Sequence, residues 1–321
     1  MTEITILGPS GAGKTCYLYA MAERMALGVN DLTFTATNCI DALRLEEEWN
    51  KICDVGVMPP PTSCLHELHF TSSYSLAPFM EFNWSEWAGA LLHTDGEEND
   101  EINILLKRVE TSSGVILCIP ATLLHSAMTN DRSGLRMLSA YLRLLTWFRH
   151  KGNTLPPLML AITKADLIKE EEYENGLRHL CEEVLSPLFD PNGGCLVGIV
   201  PVSLGRDISF EGNNVVGGTI NPWNVEIPPL FCIKTILEKQ ISELKMQLFM
   251  SPAGLVASAV AKLWVNSSGF NARLNEKMNE SLRKISQMQA IVDNINQTIN
   301  ASNAIVFRNG QKISATKGVQ K

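Results

Sequence analysis

The sequence predicts a three-layer α/β/α fold: a mostly parallel six-stranded sheet with one antiparallel strand, followed by a C-terminal helical, coiled-coil-like extension. Three observations predict it. Short β-branched runs alternate with helical patterns, a glycine loop stands between the first run and the first helix, and apolar residues fall at heptad spacing late in the chain. With 321 residues, 45% apolar and 19% charged, the chain can bury a sizeable core, which excludes a mini-protein and a disordered segment.

The first strand is read at residues 3–7. It runs into the glycine loop Gly8-Pro9-Ser10-Gly11-Ala12-Gly13-Lys14-Thr15, and a helix over 16–27 follows. Further strands are expected at 64–71, 79–85, 114–119, 158–163 and 196–202, with helical patterns at 100–110, 135–149 and 171–185. Residues 72–78 are too few for a helical crossover, so the second and third strands form a hairpin and one strand opposes the rest. The Gly-, Asn- and Pro-rich stretch 205–229 reads as a long irregular loop, and a helix over 230–249 closes the domain. Ser251-Pro252-Ala253-Gly254 marks the expected boundary between a domain at 1–250 and an arm at 251–321. In the arm, Leu274, Met278, Ile285, Met288, Val292, Ile295 and Ile299 follow a heptad register with Ser281 as its polar position. Two readings of that stripe stay open: a coiled coil that could form an oligomer, or an amphipathic helix packed back on its own domain.

Eight cysteines lack any CxxC pair or metal-finger spacing and read as reduced thiols. The net charge of −7 conceals a basic end, since residues 262–321 carry 9 Lys and Arg against 3 Asp and Glu. A solvated helix face is the simpler account of that charge, so no specific nucleic acid is expected. No apolar run reaches the roughly 20 residues needed to span a bilayer. The start of the chain also lacks the basic and apolar segments of a secretory signal, which points to the cytoplasm. Residues 254–265 with the basic tail are a weak candidate for interfacial membrane contact.

The run Gly8–Thr15 satisfies G-x-x-x-x-G-K-[ST] between a strand and a helix, the context that gives the pattern its physical meaning. Glycines let the backbone N–H groups turn inward around a phosphate chain, to which the helix N-terminus adds its dipole. Gly8, Pro9, Ser10, Gly11, Ala12, Gly13, Lys14, Thr15 and Cys16 are therefore the expected phosphate-binding residues, with Lys14 neutralising the terminal phosphates and the Thr15 hydroxyl holding Mg²⁺. The base is read elsewhere. Thr163, Lys164 and Asp166 follow the strand at 158–163, and a carboxylate at 166 can accept from the N1–H and N2–H₂ of guanine while the Lys164 stem covers the ring. Adenine would leave that acid unpaired at a cost of roughly 1–3 kcal/mol. Ser203 and Leu204 follow the last strand, within reach of the guanine carbonyl. The competing account of Asp166 is a helix cap.

On these motifs the sequence resembles the P-loop GTPases of the TRAFAC/Ras-like group, and more closely bacterial double-GTPase-type (DO-GTPase-like) domains, over about residues 3–250. The resemblance implies a switch threonine, matched by Thr62 after Met58-Pro59-Pro60-Pro61, which would join Thr15 at Mg²⁺. It also implies an Asp-x-x-Gly after the third strand. Here Glu86 stands in place of the Asp, three before Gly89, and Ala90 replaces the water-orienting Gln, so hydrolysis is expected to be slow or partner-assisted, with Glu86, Ser85 and His93 as candidates to position the water. Trp84 and Trp87 read as packing residues. The stretch 221–230 is similar to the one that precedes the last helix in this subgroup. The resulting expectation is a GTP/GDP switch whose switch loops and C-terminal helix engage a protein partner. An inert GTP-bound scaffold and an ATP-using P-loop enzyme are the alternatives.

Overall fold

The computed structural model describes residues 2–60, 62, 65–87, 100–129, 131, 136, 155–192, 194–250 and 268–313. Strand β1 (Thr2–Leu7) leads through the glycine loop to helix α1 (Lys14–Leu27). Strand β2 (Leu32–Ala36) and helix α2 (Cys39–Asn50) follow, the latter capped by the Asn38 side chain accepting from Ile40 N–H. Strands β3 (His66–Tyr74) and β4 (Ala77–Glu86) form the expected hairpin. Next come α3 (Asp100–Thr111), β5 (Gly114–Pro120), α4 (Thr122–Met128), β6 (Leu158–Thr163) and α5 (Glu170–His179). Strand β7 (Leu196–Pro201) precedes a second hairpin, β8 (Ser203–Glu211) with β9 (Asn214–Trp223). Helices α6 (Ile227–Met250) and α7 (Ser268–Ala301) and the short strands β10 (Ile305–Arg308) and β11 (Gln311–Ile313) complete the described chain.

The main sheet has nine strands among the described residues, in the order β11-β10-β7-β6-β5-β1-β4-β3-β2. Five of them, β4, β1, β5, β6 and β7, are mutually parallel, so their C-terminal ends share one edge. The sequence explains which strands sit innermost. Every residue of β5 and β6 is buried, as both faces of a central parallel strand demand. Strand β1 has β4 on one side and β5 on the other, so the loop after it leaves at the point where the strand order reverses, the usual place for a ligand in an open α/β sheet. Beside β1, Phe82 stacks on Phe70 at 5.4 Å between centroids and meets Phe34 edge-on at 5.4 Å, tying β2, β3 and β4 together. Trp84 and Trp87 are buried, in keeping with packing roles, and Trp84 stacks on Tyr17 of α1. Arg108 of α3 pairs with Glu3 at 3.0 Å, with Glu67 and with the Ser85 hydroxyl, clamping the helix to β1, β3 and β4.

Three expectations are corrected. The sheet has nine strands, not six, because β2 is added beyond β3 on one flank and β10 and β11 beyond β7 on the other, so that two strands, β3 and β10, oppose the rest. The stretch taken as an irregular loop from 205 is largely the β8–β9 hairpin. Gly205 lets its two strands close, because a Cβ there would sit 2.0 Å from the Thr219 carbonyl oxygen. Finally, the chain does not divide at 250. Residues up to Cys232, together with those from Thr298 onward, form one compact unit, and 233–297 form another. The physical reason is β10, which pairs antiparallel with β7 from Ile305↔Ile199 to Arg308↔Leu196 and so ties the chain after 298 to the sheet.

In the second unit the stripe residues Ile285, Met288, Val292 and Ile295 are buried within the single chain, while Leu282 is exposed. The predicted helix at 135–149, Cys64, the boundary at 251–254 and the candidate interfacial stretch 254–265 lie outside the described residues, apart from Arg136. Among the described residues, no helix is long and apolar enough to cross a membrane.

The aromatic trio predicts that Phe82→Ala costs about 3–5 kcal/mol of stability, since it removes a fully buried ring with two ring partners. Urea unfolding followed by tryptophan fluorescence is the measurement. A loss under about 1 kcal/mol would show that this corner of the sheet is not held by the trio.

Candidate nucleotide site

The loop between β1 and α1 gets its shape from two different constraints. Gly11 and Gly13 lie at φ 74° and 80°, where an L side chain is strained. Gly8 answers to crowding instead, since a Cβ there would stand 2.7 Å from the Cys118 carbonyl oxygen of β5. The N-cap of α1 is Gly13 with no side-chain cap, so the N–H groups of the first helical turn have no capping acceptor from a side chain. Lys14 folds back over the loop and donates to the Gly8 carbonyl at 2.9 Å and the Pro9 carbonyl at 3.1 Å. Its ammonium is buried, and burial pulls its pKa below the usual lysine value, a pull that nearby Cys118 and Glu86 oppose.

Three residues far apart in sequence meet beside this lysine. The Thr15 hydroxyl lies 2.7 Å from the Thr62 hydroxyl, and each donates to Glu86 Oε1 at 2.7 Å. Glu86 is fully buried at the end of β4, paired in register with Ile6 of β1, and its second oxygen, Oε2, has no hydrogen-bond partner among the described residues. A buried carboxylate oxygen without a partner is costly, which makes this triad a place where a cation or a donor would be favoured. Thr62 and Glu86, singled out from sequence, thus do come together with Thr15. Gly89, Ala90 and His93 lie outside the described residues. Ser85 is turned elsewhere, donating to Glu3 at 2.8 Å.

The other end of the site is built from the strand ends of β6 and β7. The Thr163 hydroxyl donates to the Ala12 carbonyl at 2.7 Å, so this residue braces the glycine loop instead of facing a ligand with its hydroxyl. Lys164 adopts φ 56° and begins the short turn that presents Asp166. The Asp166 carboxylate accepts from the Ser203 hydroxyl, and Ser203 in turn accepts from Gly205 N–H at 3.1 Å. The helix-cap account of Asp166 does not fit: the N-cap positions are Lys164 for the short turn and Lys169 for α5, neither with a side-chain cap bond.

One cavity of about 400 Å³ connects the two ends, a size within the range of nucleotide and cofactor sites. Ser10, Gly11, Gly13, Lys14, Thr15, Cys16 and Thr62 line it at the loop end, and Thr163, Lys164, Asp166, Ser203 and Leu204 at the other. Gly8, Pro9 and Ala12 stand behind the wall as the acceptors that hold Lys14 and Thr163. Cys16 is half-buried with its thiol pushed up to about 12 by desolvation and donates toward the Met58 sulfur 3.8 Å away, so it is a packing group in the wall.

Sequence reasoning missed Met58 and the hairpin residues Ile208, Phe210, Gly212 and Asn213, all of which line the cavity. A signal was present: Gly212-Asn213 is a two-residue turn between strand-like runs.

No family model and no curated protein matches the chain. Among solved structures it is similar to a bacterial selenocysteine-specific elongation factor EF-Sec, at 13% identity over 63% of this chain and 26% of that one, with a TM-score of 0.34. It is also similar to the translation elongation factor SelB from Methanococcus maripaludis in complex with the GTP analogue GPPNHP, at 14% over 63% and 29%, TM-score 0.28. A third is the ADP-ribosylation factor-like GTP-binding protein, small COPII coat GTPase Sar1, from Encephalitozoon cuniculi in complex with GDP, at 13% over 63% and 69%, TM-score 0.31. The chain spans about a quarter of the length of the first two.

The buried lysine predicts a pH dependence with a definite sign. Only the ammonium attracts an anion, so pyrophosphate affinity should be full below the lowered Lys14 pKa and fall as pH rises through it. Isothermal titration of pyrophosphate from pH 7 to 10 is the check, and a flat profile would contradict the role given to Lys14.

Proposed function

We propose that the chain is a guanine-nucleotide-binding switch of the P-loop GTPase class, loaded with GTP or GDP and Mg²⁺. The observation that carries this reading is that the phosphate loop and Asp166 line a single cavity. A diphosphate wrapped by the loop's N–H groups and Lys14 leaves its purine directed along that cavity. Asp166, held by Ser203, offers carboxylate oxygens that guanine can satisfy with two donors and adenine cannot.

The Thr15–Thr62–Glu86 triad fits a magnesium ion by donor chemistry, since all three offer hard oxygen atoms and Glu86 Oε2 is buried without a partner among the described residues. Thr15 and Thr62 would hold the ion with Glu86 beside them, and when bound it would neutralise phosphate charge. Thr62 is held at the triad by its contacts with Thr15 and Glu86, whereas residues 56–58 before it are fastened to the β8–β9 hairpin. Changing the occupant of the triad therefore changes how Thr62 is held, which is the physical content of a switch.

Turnover is slow or partner-assisted in this reading, because Ala90 stands where a glutamine would orient water. A protein partner is the proposed recipient of the signal. Exposed Met246 and Phe249 on α6 and Leu282 on α7 supply apolar surface for it.

The test is the nucleotide itself. Protein denatured after purification should release GDP or GTP on ion-exchange chromatography, and GDP should compete with a fluorescent guanine nucleotide at least tenfold better than ADP. Lys14→Ala should abolish binding, and Asp166→Ala should remove the preference for guanine. Tight ADP binding would instead assign the cavity to an ATP-using enzyme. Bound GTP with no turnover, and partner binding unaffected by Lys14→Ala, would assign it to a scaffold.

A further inference from the structure

The β8–β9 hairpin is not needed to complete the main sheet, yet it supplies part of the cavity wall. At its root, Ser203 holds Asp166, and Ala165 N–H donates to the Val202 carbonyl at 3.2 Å. At its tip, Met58 N–H donates to the Asn213 carbonyl at 2.9 Å and Val215 N–H to the Gly56 carbonyl at 2.7 Å. Val57 and Asn214 form an isolated antiparallel bridge at the same place. The hairpin therefore spans from the residue that reads the base to the backbone leading toward Thr62, and between these anchors Ile208 and Phe210 line the cavity.

Phe210 is the unexplained member. It is 49% exposed, whereas Ile208 is buried at 8%. Large aromatic side chains gain most from cover, and this one leaves half of its surface uncovered on a cavity wall. The β8–β9 register is irregular between Arg206 and Ser209 and again between Ser209 and Phe210, and Asp207 lies at φ 53°. Bulges of this kind re-aim side chains, and they cluster beside functional sites. The loop accounts for phosphates and Asp166 for the edge of a base. The Lys164 stem is assigned to one face of the ring, so what remains is the other flat face, for which an aromatic ring is the matching chemistry.

We infer that the hairpin is part of the nucleotide site and that Phe210 is its nucleoside-covering residue, a binding contact that is indifferent to the edge of the base. This rests on the guanine-nucleotide reading of the cavity. Because a ring face does not discriminate purines, loss of Phe210 should weaken GDP and the poorer ligand ADP by the same factor, whereas loss of Asp166 should act on GDP alone.

The experiment is stopped-flow release of N-methylanthraniloyl-GDP from the full chain, with equilibrium competition by GDP and ADP. Phe210→Ala should speed release about tenfold or more, and Phe210→Trp should keep it slow. The thermal midpoint of Phe210→Ala should stay near that of the unaltered chain, because the residue is half-exposed. Unchanged release from Phe210→Ala, in a chain that binds GDP and loses it with Lys14→Ala, would overturn the hairpin's role and leave the guanine reading standing. A lowered midpoint with unchanged release would make Phe210 a packing residue and overturn it equally. Failure of the unaltered chain to bind GDP would remove both.

Discussion

A lysine ammonium buried at the first residue of α1 needs acceptors, and much of the site follows from how that need is met. The Gly8 and Pro9 carbonyls supply them, which requires the loop to curl tightly enough to bring residues 8 and 14 together. That curl requires positive φ at two later glycines and a first glycine able to pass against Cys118 of β5. The loop is braced from the far side by Thr163, so the end of β6 cannot shift without disturbing Ala12. The glycine loop and the turn at 164–167 are in this sense one mechanical object, joined through the Thr163 hydroxyl.

The parts of the fold legible in the sequence were those with strong local signals. The six strands taken from apolar runs are all present, and the β3–β4 pair is antiparallel, because a connection of a few residues permits nothing else. The Thr15–Thr62–Glu86 meeting was also within reach, Thr15 from its place in the glycine-loop pattern and Thr62 and Glu86 from the family resemblance, even though Glu86 replaced a shorter acid. The elements that escaped have weaker patterns. Strand β2 is five residues long, and β10 with β11 are shorter still; their pairing with β3 and β7 is decided by partners remote in the chain. The β8–β9 hairpin was hidden by glycines that look like loop residues and in fact allow close strand approach.

The hairpin also changes what the cavity is. A site made only of strand ends and the loops after them would be open on the side away from the sheet. Here a second, two-stranded sheet contributes wall residues and is fastened by backbone hydrogen bonds to the segment at 56–58. The route from Asp166 to the neighbourhood of Thr62 therefore runs through Ser203 and the hairpin as well as through the phosphate loop.

Strand β10 imposes an order in time as well as in space. On a ribosome, β7 emerges more than a hundred residues before the strand that covers it, with all of 233–297 made in between. Throughout that interval the nascent sheet presents a buried-type edge, Leu196 to Pro201, with its backbone N–H and C=O groups unpaired on one side. Completion of the edge waits until residue 308 has been made, so a product truncated before β10 would expose a sticky strand next to Ser203, which holds Asp166.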